Sequence, residues 1–165
     1  MLGAAPTATK DDMPQHDDAH RSDEGLVSSA PPARYETVRR WTLSSAEEIR
    51  TVRRELRETL GLGDAPPSGT LAEVPERMIL VASELAANAL EHGRPPTIVT
   101  LGSDGGRYLL EVADHDPDSV PVLAGHREPG AGGFGLQIAR RVGQEVGWYT
   151  TGATKHIWVT FALPD

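Results

Sequence analysis

The sequence predicts an α+β fold, a two-layer sandwich in which a mixed, mostly antiparallel sheet is covered by helices on one face. Strand-like runs come in pairs joined by short turns, around Asp104-Gly105-Gly106 and around Gly152-Ala153, the mark of antiparallel hairpins. Three other segments carry apolar residues at helical spacing. A chain of 165 residues, 38% of them hydrophobic, has the material for one core rather than two.

Taken in order, residues 1–34 are rich in Asp, Ala, Pro, Ser and His and have hardly a large apolar side chain. Such a stretch buries too little surface to offset the entropy of ordering, so a disordered extension is expected there, with the folded domain over 35–165. His16 and His20 beside Asp17 and Asp18 are a loose metal-like grouping that reads as a solvated tail. Tyr35, Thr37, Arg39, Trp41 and Leu43 alternate with Glu36, Val38 and Arg40, which predicts a strand at a sheet edge. Ser45 followed by Glu48 is a capping-box pattern, and Ile49, Val52, Leu56 and Leu60 form the stripe of a first helix ended by Gly61 and Gly63.

A Pro/Gly loop over 64–70 leads into a second helix over 73–91, bounded by Gly93, Pro95 and Pro96. Strands over 97–102 and 107–113 follow, then an irregular stretch over 114–131 containing Pro117, Pro121 and Pro129. A third helix starts at the glycines around 132–135 and includes Leu136, Ile138, Ala139 and Val142. Strands over 147–151 and 155–163 close the chain.

Asp and Glu outnumber Lys and Arg by 24 to 16, a net charge of -8 that disfavours non-specific attraction to nucleic acid or anionic lipid. The chain has no cysteine, which rules out disulfides and thiolate chemistry. Lys10, Asp11 and Asp12 interrupt any apolar leader segment, and no apolar run approaches a membrane span, so a cytoplasmic location is expected.

The second helix carries the first candidate site residues. Glu84 and Asn88, at i and i+4, share one stripe bordering the apolar face of Met78, Val81, Leu85 and Ala89. The Asn88 amide oxygen is a hard ligand suited to Mg²⁺, and the Glu84 carboxylate can accept a proton from an attacking hydroxyl. Asp114, at the end of a strand, can accept a hydrogen bond from the exocyclic amine of adenine, although an Asx-turn explains such a residue as well. Gly130-Ala131-Gly132-Gly133-Phe134-Gly135 opens the third helix, where N–H groups and the helix dipole favour phosphate. It is formally a dinucleotide-binding glycine pattern, but a Pro- and Asp-rich loop rather than a strand precedes it, which excludes that reading. Thr154 in the last hairpin is within reach of a purine or serves the turn alone.

The order of these motifs carries a resemblance. Ser83-Glu84-Leu85-Ala86-Ala87-Asn88-Ala89-Leu90-Glu91-His92-Gly93 resembles the N box of the GHKL ATPase superfamily, which includes DNA gyrase and sensor histidine kinases. Asp114 resembles the first glycine box, the run from Gly132 to Ala139 the second, and Gly152-Ala153-Thr154 a faint third. Within the superfamily the chain is similar to stand-alone anti-sigma factor serine kinases of the actinobacterial type. The resemblance implies that ATP and Mg²⁺ are bound, with Glu84 as general base and Asn88 as metal ligand. Asp114 would read adenine, Gly132, Gly133, Phe134, Gly135 and Leu136 would form the lid hinge and phosphate contact, and Thr154 would lie near the purine. Residues 116–131 would be the ATP lid. It further implies a sigma factor and a STAS-type anti-anti-sigma protein as partners, and a homodimer. The usual first box has glycines after its aspartate where this chain has His115, Asp116 and Pro117. The alternative on the same fold is a non-catalytic ATP-binding or purely protein-binding module.

Overall fold

The structure is a computed structural model and describes residues 26–63, 73–121 and 134–163. Its elements are β1 (Glu36–Leu43), α1 (Ile49–Thr59), α2 (Val74–His92), β2 (Thr97–Ser103), β3 (Arg107–Asp114), α3 (Phe134–Val142), β4 (Val146–Thr150) and β5 (Lys155–Ala162). The strands form one sheet in the order β1-β2-β3-β5-β4, every neighbouring pair antiparallel. The α+β architecture read from the hairpin turns is therefore the architecture of the protein.

The period-two alternation of the strands sets which side chains enter the core. Trp41 and Leu43 of β1, Val99 and Leu101 of β2, Leu110 and Val112 of β3, and Val159 and Phe161 of β5 are all buried on one face. Against them lie Met78, Val81, Leu85 and Ala86 of α2, Val52 and Leu56 of α1, and Leu136 and Ala139 of α3. Each fully buried Leu or Val adds about 1.5–3 kcal/mol relative to exposure. The alanines of α2 keep that helix slim, so it lies close over β2, β3 and β5, with α1 and α3 on its two sides. Arg57 Nη1 ties α1 to α2 through Glu76 Oε1 at 3.1 Å.

Three local details differ from expectation. The capping-box residues meet without forming the reciprocal box: the Ser45 hydroxyl donates to Glu48 Oε1 at 3.3 Å, and a 3₁₀ turn over Ala46–Glu48 precedes α1. A bulge in β1 between Thr37 and Arg39 interrupts the expected alternation and leaves Val38 exposed. Order also begins before Tyr35. The Trp148 N–H donates to Val27 O (3.1 Å) and the Ser29 N–H to Trp148 O (2.8 Å), a short parallel pairing along the β4 edge. The indole N–H groups of Trp148 and Trp158 donate to Leu26 O (2.9 Å) and Ser29 O (2.7 Å). The expected disordered extension over 1–34 is thus anchored from residue 26 onward. Residues 1–25, with His16 and His20, lie outside the described residues, as do the 64–70 loop, Gly132 and Gly133.

Candidate functional site

α2 places Glu84 and Asn88 one turn apart at the margin of its buried face, both half-buried. Neither side chain has a hydrogen-bond partner among the described residues. α3 begins directly over them. A Cβ built on Gly135 would stand 3.0 Å from Glu84 Cβ and 3.1 Å from Asn88 Nδ2, tighter than ordinary van der Waals contact. Glycine at 135 is therefore what lets the start of α3 lie on the Glu84–Asn88 stripe. The next residue, Leu136, is buried. Of Phe134 only the backbone is described, as the first residue of α3. Of the expected lid over 116–131, residues 122–131 lie outside the described residues.

Beside this stripe is a small cleft lined by Leu85, Asn88 and Ala89 of α2, Val112 and Asp114 of β3, Pro121, Leu136 of α3, and Lys155 and Ile157 of β5. Asp114 ends β3 and is only 4% exposed. Its Oδ1 accepts the Asp116 N–H at 2.8 Å, so the Asx-turn expected as the plain alternative is present. Its Oδ2 lies 3.4 Å from Lys155 Nζ, so the carboxylate also belongs to the cleft. Lys155 is itself 7% exposed, and its ammonium donates to Ser119 Oγ at 2.6 Å. Ser119 in turn hydrogen-bonds Asp116, the main reason the Asp116 carboxyl is held below its usual range, with Arg94 and Lys155 adding to the effect. The His115 N–H donates to Arg94 O and its ring Nδ1 lies 2.9 Å from Pro96 O, which ties the first turn of this loop to the connection between α2 and β2.

The structure does not bring Thr154 into the cleft. Its hydroxyl lies 2.7 Å from His156 Nε2, and His156 Nδ1 lies 2.9 Å from Glu111 Oε1. Glu111 and His156 alternate with the buried Val112 and the cleft-lining Ile157, so this chain of contacts runs on the opposite face of the sheet. The inward residue at that end of β5 is Lys155, paired in register with Asp114. The apolar parity of Ile157, Val159 and Phe161, extended back two residues, is the sequence signal that places Lys155 on the core face. Gly93, read from sequence only as a helix end, also matters here: a Cβ there would lie 2.5 Å from Asp114 Cγ.

The donor set and the lining suit a purine nucleotide. Apolar walls from Leu85, Ala89, Val112 and Ile157 offer a slot for a flat ring, and Asp114 and Lys155 supply an acceptor and a donor for its edge. Thr97 is opposite Asp114 when the β2–β3 register is continued by one pair beyond Ile98 and Ala113. Its buried hydroxyl has no hydrogen-bond partner among the described residues, a capacity that a bound polar group or water would satisfy. The Asn88 amide also lines the cleft, and its oxygen is of the hard type that suits a divalent cation.

No helix of the described residues is long and apolar enough to cross a membrane. No curated protein matches the chain. The family profile of the histidine kinase-like ATPase domain matches residues 29–161, a span that covers all five strands but the last residue of β5, all three helices and the cleft. With that match added to a five-stranded antiparallel sheet under three helices, the chain belongs to the histidine kinase-like ATPase domain family of the GHKL superfamily, an ATP-binding fold.

Proposed function

We propose that the protein is an ATP-binding anti-sigma factor that is also a protein serine kinase, acting on a STAS-type anti-anti-sigma partner. The observation that carries this reading is the placement of Glu84 and Asn88 one turn apart on α2, half-buried under the start of α3, with neither side chain hydrogen-bonded among the described residues. Half-buried groups whose hydrogen-bonding capacity is not used internally are available to a ligand.

Bound Mg·ATP supplies the phosphoryl group and the cation that neutralises its charge. Asn88 is the residue that would hold Mg²⁺, and the N–H groups of residues 132–135 would meet the phosphates at the start of α3. Asp114 orients the base, fixed for that task by the Asp116 N–H. Glu84 accepts the proton of the partner's serine hydroxyl. The same proposal includes sequestration of a sigma factor, its release when the anti-anti-sigma protein docks, a homodimer and a cytoplasmic location. On α1, Arg50, Arg53 and Arg54 are exposed, a cationic face on an acidic protein and a surface for an acidic segment of a partner.

A second reading, a non-catalytic module, is favoured by one feature. Where the superfamily has glycines after the aspartate, His115 and Asp116 are fixed by the Arg94, Pro96 and Asp114 contacts, which stiffens the root of the lid.

The test is incubation with Mg·[γ-³²P]ATP and a purified STAS-type protein from the same organism. Label should appear on serine. Glu84→Ala should retain ATP binding while losing transfer by about 10²- to 10⁴-fold, the usual worth of a general base. Undiminished transfer by Glu84→Ala rejects the base assignment, and ATP binding by the wild type without transfer selects the non-catalytic module.

A further inference from the structure

Lysine is rarely buried, because its strongly hydrated ammonium must find partners inside the protein. Lys155 is 7% exposed and lines the cleft beside Asp114. Its Nζ makes one short hydrogen bond, to Ser119 Oγ at 2.6 Å, and one long contact, 3.4 Å, to Asp114 Oδ2. An ammonium has three donors, so these two leave one more for a ligand among the described residues. Asp114 is meanwhile fixed in place. Its Oδ1 is held by the Asp116 N–H, and the Gly93 backbone lies so close behind its Cγ that a Cβ there would reach to 2.5 Å. The acceptor and the donor therefore cannot exchange places.

We propose that Lys155 is a specificity-determining residue of the nucleotide site: with Asp114 accepting from the exocyclic amine at purine C6, the Lys155 ammonium donates to ring nitrogen N1. Together they read an edge with a donor at C6 and an acceptor at N1, the pattern of adenine. Hypoxanthine and guanine present the reverse pattern and would set a carbonyl against the Asp114 carboxylate. This inference rests on the reading of the cleft as an ATP site and adds to it the contact that selects the base.

The experiment is a cycle of dissociation constants by calorimetry on the full chain. Wild type and Lys155→Met are each titrated with Mg·ATP and with Mg·1-deaza-ATP, in which N1 is replaced by C–H. A hydrogen bond from a charged donor is worth about tenfold or more in affinity, so the wild type should bind 1-deaza-ATP about tenfold more weakly than ATP. In Lys155→Met the two nucleotides should bind alike, the loss of N1 costing nothing further. If Lys155→Met shows no cooperative melting transition, Asp114→Asn/Lys155→Met, which leaves no lone buried charge, provides the same comparison. A tenfold penalty that persists without Lys155 overturns the proposal, because N1 is then read by another group. Equal affinity of the wild type for both nucleotides also overturns it while leaving the ATP site intact. No binding of either nucleotide by the wild type overturns both this inference and the reading beneath it.

Discussion

Gly93 and Asp114 are in such close approach that a Cβ on the glycine would lie 2.5 Å from the carboxylate carbon and 2.7 Å from Oδ2. The C-terminal end of α2 and the end of β3 are thereby locked together, and the missing side chain at 93 is what seats the buried carboxylate. Gly93→Ala forces Asp114 to move and crowds Ala89 O, which would lie 2.7 Å away. Overpacking of this kind costs about 1–3 kcal/mol. Urea denaturation should register that loss, and calorimetry should show ATP affinity falling by tenfold or more, since the acceptor proposed for the base is displaced.

At the other end of the site Gly135→Ala separates site geometry from stability. Alanine favours the helix by about 0.5–1 kcal/mol over glycine, while its Cβ presses on Glu84 Cβ and Asn88 Nδ2 at 3.0 and 3.1 Å. The expected outcome is a melting temperature within a few degrees of wild type and ATP binding weakened by at least tenfold. Unchanged binding would mean that α3 can lift from α2 without consequence for the nucleotide.

On the outer face of the sheet, Tyr149 donates to Glu111 Oε2 at 3.0 Å and stacks on His156 with ring centroids 4.4 Å apart. Burial, reinforced by the Glu111 carboxylate, pushes its phenol up to about 12. A group whose folded value is raised contributes stability that is fully present below its unfolded value, near 10, and lost as pH rises through 12. Absorbance titration should show a phenol, that of Tyr149, ionising only near pH 12. Tyr149→Phe should abolish that phase and cost about 1 kcal/mol at neutral pH.

The acid limb has the opposite sign. Glu55 is held below its usual range by the Trp41 indole and by Arg39, Asp104 by the Gly106 and Arg107 N–H groups and Arg34, and Asp116 by the Ser119 hydroxyl. Lowered folded values contribute stability present above the unfolded values of about 4 and lost as pH falls through the folded ones. Denaturation midpoints should therefore change little on these groups' account between pH 7 and 5 and fall below about pH 4. Glu55→Gln should be less stable at pH 7 and show a shallower acid decline.

Much of this was legible in the sequence. A helix repeats every 3.6 residues, so the sequence alone puts Glu84 and Asn88 on one stripe beside Leu85 and Ala89. Asp114 was legible because it follows an apolar strand directly. Thr154 and Lys155 show the limit of that reasoning. The glycine-threonine pattern drew attention to Thr154 as a motif residue, whereas successive strand residues point to opposite faces and the parity of Ile157, Val159 and Phe161 puts the adjacent Lys155 in the cleft. The role of Gly93 was hidden for a different reason, since the close approach is between segments distant in sequence and a helix-ending glycine needs no other explanation. The pairing of residues 26–29 with β4 was hidden too. It uses backbone groups and two indole N–H donors, which leave no trace in the composition of the segment itself.

Glu84, Asn88 and Asp114 are proposed to border one ATP site, and the decisive experiment is titration of Mg·ATP into the full chain. Run beside Asn88→Ala and Asp114→Asn, with melting curves to show that both variants fold, the wild type should bind saturably at one site per chain. Both variants should bind at least about tenfold more weakly, since each would lose a proposed ligand contact worth about 1.5–3 kcal/mol. Wild-type affinity in both folded variants, or no binding by the wild type, would mean that these residues do not form a nucleotide site.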